Sequence, residues 1–154
     1  MSSLNALNVA IEAAERKRDA ARTVMQERQR AQQAAQAQMD QLQGYVQEMQ
    51  GRWGAQEGLA VQPEVMHHQY QFMERLQHAI GLQTRMVAEQ NIRLETARQA
   101  LLATELRVTS LQKMVQVRKR DMALLQTRRE QKDTDERAAM AFFRRNFGLQ
   151  LQEA

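Results

Sequence analysis

GRWGAQEGLAVQP, residues 51–63, punctuates a chain that otherwise favours helix. It places three glycines and a closing proline within thirteen residues. Glycine spends backbone entropy in a helix, and proline cannot continue one, so together they predict a break. Pro63 suits the first turn of a following helix, where its missing N–H costs nothing. Glu64 behind it suits the positive end of the helix dipole. The expected layout is one domain, 1–154: a helix over 3–50, a turn over 51–63 and a longer helix over 64–147.

Upstream of the break, steps of three and four from Leu4 pass through Leu7, Ile11, Ala14, Arg18, Ala21 and Met25. They continue through Arg28, Gln32, Ala35, Met39, Leu42, Val46 and Met49. Eleven of these fourteen positions are apolar, and seven consecutive heptads exceed the three or four that mark a coiled coil. Downstream, steps of seven from Met66 reach Met73, Ile80, Val87, Leu94, Leu101, Val108, Val115 and Met122, and all nine positions are apolar. The companion ridge is diluted: Gln69, Leu76, Gln83, Gln90, Ala97, Thr104, Leu111, Arg118, Leu125. Gly81 lies inside this helix at a cost of about 1 kcal/mol relative to alanine.

An apolar seam needs a partner. The fold class predicted is all-α, with two long helices in an antiparallel coiled-coil hairpin and the second helix the longer. Pairing Met49 with Met66 puts Leu4 opposite Leu111. The second helix then runs on from about Gln112 to about Phe147, and that overhang still carries apolar positions. The seams can also pair between chains, in a parallel dimer or a larger bundle. Two arms of similar length on either side of the break favour the hairpin, monomeric when free.

Composition narrows the function classes. There are no cysteines among the 154 residues, which removes a disulfide scaffold and a cysteine zinc site. No apolar run approaches the roughly 20 residues that span a bilayer. The N-terminus lacks the basic start and apolar stretch of a secretory signal, so a cytoplasmic location is expected. Net charge is +4 and unevenly placed, with nine basic and five acidic residues over 115–147. Nucleic acid would call for a denser basic patch with fewer acids, so it is not the expected partner.

Little in the chain points to catalysis. His67 and His68 are adjacent and point to different helix faces, and His78 lies eleven residues past His67. No acidic residue completes a metal set. There is no phosphate-binding glycine loop and no nucleophile elbow. Carboxylates pair with arginines four residues on, as Glu12 with Arg16 and Glu89 with Arg93. No catalytic residue, cofactor or metal is expected.

Three features stand out. Phe72, Leu76 and Ala79 fall on one stripe of HHQYQFMERLQHAI, residues 67–80. They read either as a widened core or as an exposed anchor for a partner. QTRREQKDTDERAAM, residues 126–140, mixes Arg128, Arg129 and Lys132 with four acids ahead of Arg137. It is either a solvated charged face or a contact surface. The tail AFFRRNFGLQLQEA adds Phe142, Phe143 and Phe147, with Gly148 as a stop signal.

The chain resembles the FliJ family, the small coiled-coil proteins of the bacterial flagellar type III export apparatus. The match is carried by LNALNVAIEAAERKRDAA, LQGYVQEM, YQFMERLQHAI and RREQKDTDE, in this order, and spans essentially the whole chain. The stalk proteins of virulence type III systems are similar in shape and remain an alternative, as does a purely structural self-associating coiled coil. The resemblance implies an antiparallel hairpin similar in shape to the γ subunit of rotary ATPases. It implies a non-enzymatic accessory role, cytoplasmic and peripherally associated with the membrane at the flagellar basal body. The implied partners are the hexameric export ATPase FliI, the export gate FlhA and export chaperones. The family's gate contact maps onto Phe72, Leu76 and Ala79. Arg128, Arg129, Glu130, Lys132, Asp135 and Glu136 are the expected contact with the ATPase ring.

Overall fold

A computed structural model describes residues 2–56 and 62–153, with side chains over 3–53 and 62–149. It holds two helices, α1 (Ser2–Gln56) and α2 (Pro63–Glu153), and no strand among the described residues. The residues divide into two compact units. Ala14–Leu106 forms one, the hairpin unit. The residues up to Ala13 and those from Arg107 onward form the other, the terminal unit.

In the hairpin unit the two helices pack antiparallel. Gln83 Nε2 donates to the Ala35 carbonyl at 2.8 Å and to Gln38 Oε1 at 3.2 Å. The rings of Trp53 and Tyr70 meet edge to face at 5.5 Å. Partners thus rise along α1 as they fall along α2. The seam is the heptad pattern of the sequence. All fourteen α1 positions from Leu4 to Met49 are buried or half-buried, and so are the α2 positions from Gln69 to Val115. The best-buried positions of this unit include Ala14, Ala35 and Ala97 beside Met39, Leu76 and Leu94. With small side chains at the contact, the helices approach closely over a narrow core. No described side chain falls below 2% exposure, as expected of a two-helix seam open on both flanks.

Two expectations are corrected in this unit. The break does not begin at Gly51: α1 continues helical through Gln56. Gly51 sits in open space, so its cost is only its propensity. Three features offset that cost. Arg52 pairs with Glu48 one turn back at 2.8 Å, Trp53 takes the next seam position after Met49, and it packs on Tyr70. The remainder of the expected turn, 57–61, lies outside the described residues. The second correction follows from the first. Because Trp53 extends the seam, the pairing shifts along α2, so that Trp53 rather than Met49 marks its last described contact. Met66, expected opposite Met49, is 44% exposed.

In the terminal unit Val108, Leu111 and Val115 are buried, at 3%, 3% and 8% exposure. Leu4, Leu7 and Ile11 are half-buried on α1. Pairing therefore reaches Val115, beyond the expected limit near Leu111. From Gln116 to Leu149 every residue is exposed. At about 1.5 Å per residue that unpaired segment is roughly 50 Å long.

Candidate partner-binding surfaces

The aromatic stripe lies in the hairpin unit, and its three members differ. Leu76 is 8% exposed and belongs to the seam. Ala79 is half-buried beside it. Phe72 is 48% exposed and flanks the seam. Leu76 is thus core, and Phe72 stands exposed beside it. Steps of seven from Phe72 add Val65, 43% exposed, and Met86, 49% exposed, on the same flank of α2. Neither was singled out from the sequence, although the seven-residue step was available there. Around them the side chains are tied locally. Gln71 Nε2 lies 3.2 Å from His67 Nε2, and the His67 and His68 rings are 6.5 Å apart. Among the described residues no three metal-ligating side chains gather.

The other candidate surface is the unpaired part of α2, in the terminal unit. All six expected ring-contact residues are exposed there. Arg128, Lys132, Asp135 and Glu136 line one shallow groove with Gln131 and Ala139. Arg129 and Glu130 lie off that groove. Glu130 is held within its own helix: it accepts from Gln126 Nε2 at 3.2 Å, and its carbonyl accepts from Thr134 Oγ1 at 2.8 Å. No ion pair within 4.0 Å forms among the described residues from Gln116 onward; all four pairs lie before Arg107. Glu89 with Arg93 is one of them, as expected, whereas Glu12 with Arg16 is not.

Apolar islands flank this charged centre. Met122, Leu124 and Leu125 precede it, at 38%, 52% and 52% exposure. Met140, Phe143 and Phe147 follow it, at 62%, 73% and 60%, and line a second open groove with Arg144 and Gly148. These large side chains are not part of the core.

Two long helices packed against each other are what the resemblance implied; an exposed stretch of the second helix was expected from the pairing of the seams. The family model described as Flagellar FliJ protein matches residues 3–147. The chain belongs to the FliJ family. Among curated proteins none matches it. The FliJ family is a flagellar one and implies a role associated with flagellar type III export, on the flagellar side of the two alternatives weighed from the sequence. No helix among the described residues is long and apolar enough to cross a membrane. The family match covers both helices, including the exposed part of α2 up to Phe147.

Proposed function

We propose that this chain is an accessory subunit of the flagellar export machine, which engages the FliI ATPase ring through the unpaired part of α2. The observation that carries this reading is the uninterrupted exposure from Gln116 to Leu149. A lone helix with unpaired charges and two apolar islands has both kinds of group that a ring lumen can satisfy. Arg128, Arg129, Glu130, Lys132, Asp135 and Glu136 supply the charges. Phe72 and its flank supply the contact with the FlhA gate, with Ala79 beside it and Leu76 supporting the helix from inside the seam. Export chaperones are further partners. The protein works in the cytoplasm, peripherally at the membrane under the basal body, and couples ATP hydrolysis to export without itself catalysing a reaction.

Removing residues 116–154 tests the ring contact. The truncated chain keeps every residue buried in the described structure. Pull-down with FliI and stimulation of its hydrolysis should both be lost while the helical signal of the remainder persists. Normal stimulation by the truncated chain would refute the assignment. For the gate, Phe72→Ala is the informative change. Leu76→Ala would also open a cavity in the seam, at about 2–5 kcal/mol, and so confound binding with folding.

A further inference from the structure

The unpaired part of α2 reads the same in both directions along one face. From Arg118 forward, steps of four, three, four and three reach Met122, Leu125, Arg129 and Lys132. From Phe147 backward, the same steps reach Phe143, Met140, Glu136 and Asp133. Every one of these side chains is exposed. After the first pair, Arg118 with Phe147, the two series have apolar residues at matching places and opposite charges at matching places. We propose that this segment pairs antiparallel with the same segment of a second copy of the chain, about a twofold axis between Lys132 and Asp133.

In that arrangement the numbers of facing residues sum to 265. Met122 meets the second copy's Phe143, and Leu125 meets Met140. Arg129 meets Glu136, and Lys132 meets Asp133. The twofold repeats each pair, so one interface buries four apolar contacts at its ends and four opposite-charge contacts at its centre. Arg118 falls opposite Phe147, a cation facing an aromatic ring. Just beside that face Asp121 falls opposite Arg144. The like-charged matches are Arg120 with Arg145 on the outer face, and Arg128 with Arg137 and Glu130 with Asp135 on the flanks, where water screens them.

Charge complementarity selects both the occupant and the direction. A parallel copy in register would set Arg129 on Arg129 and Glu136 on Glu136, and like charges across a helix pair repel. The period also fits. From Arg118 to Phe147 the face advances 29 residues in eight steps, close to the 3.6 residues per turn of a straight helix, so two nearly straight helices keep the face in contact. The charges are available, because none of them forms an ion pair within the described residues. The expectation of a free monomer rests on paired arms and therefore covers the chain only as far as Val115. A copy engaged this way cannot offer the same face to a ring.

Light scattering on the full chain over a concentration series tests the pairing, with no export ATPase present, so the outcome is independent of the ring assignment. The wild type should pass from one-copy to two-copy mass as concentration rises. Arg129→Glu and Glu136→Arg should each weaken self-association by about a hundredfold, because each sets two like-charged contacts in the interface. Their equimolar mixture should recover the two-copy mass. In the mixed pair the two substituted positions face each other with opposite charges, and the unsubstituted Arg129 of one copy still faces the unsubstituted Glu136 of the other. Circular dichroism should show the same helicity for all samples. A wild type at one-copy mass throughout overturns the proposal. So does a dimer that survives both single substitutions, or a mixture that stays at one-copy mass.

Discussion

Leu111 and Leu125 are the same residue at the same heptad position of the same helix, fourteen residues apart. Leu111 is 3% exposed and Leu125 is 52% exposed. Nothing local separates them. Val115 and Met122 repeat the contrast on the other ridge, at 8% and 38%. The difference is the presence of α1. Heptad spacing therefore says which face of a helix wants a partner, and the partner's reach says where that want is met inside the chain. Where it is not met, the same pattern stays exposed, which is the ground for the contacts proposed above.

The largest effect that sharpens this contrast is Leu111→Ala. It should cost about 2–5 kcal/mol, because it leaves a cavity in a paired seam, and urea unfolding would show it as a lower midpoint. A cost under about 1 kcal/mol would mean that Leu111 is not held as the structure has it.

Gln90→Leu should act in the opposite direction. Its Oε1 is buried in the seam without a hydrogen-bond partner, whereas Gln83 bonds across to α1. Replacing an unsatisfied amide by an apolar group of similar volume should stabilise by about 1–2 kcal/mol, raising the melting temperature by a few degrees.

Gly81→Ala is smaller still. A Cβ there would meet nothing within 4 Å, so the change should add up to about 1 kcal/mol of stability from helix propensity alone. A loss of stability would show that the glycine is needed for close approach. Leu125→Ala closes the series: in dilute solution it should stay within about 0.5 kcal/mol of wild type.

Much of this was legible in the sequence, and for a physical reason. A seam repeats, so each of the fourteen α1 positions reinforces the next, and the predicted face was the buried one. Glycine signals do not reinforce each other in that way. Gly51 reads as a break, yet a seam aromatic two residues on and an ion pair across the turn outweigh its propensity. The register failed with it, because the pairing is fixed by Trp53 on Tyr70, a contact between residues seventeen apart that spacing cannot show. Leu76 illustrates a third limit. It lies on both the seam and the aromatic stripe, and only the packed structure says that the seam takes it. The matching series around Lys132 was present in the sequence but meant little until Gln116–Leu149 was seen to have no partner within its unit.

Amide hydrogen exchange along α2, in dilute solution, tests most directly whether the helix divides at Val115. Protection should be high through the paired seam and fall sharply between Val115 and Met122, with the rest of α2 opening at far lower free energy than global unfolding. Protection that continues undiminished to Leu149 in a chain of one-copy mass would contradict it.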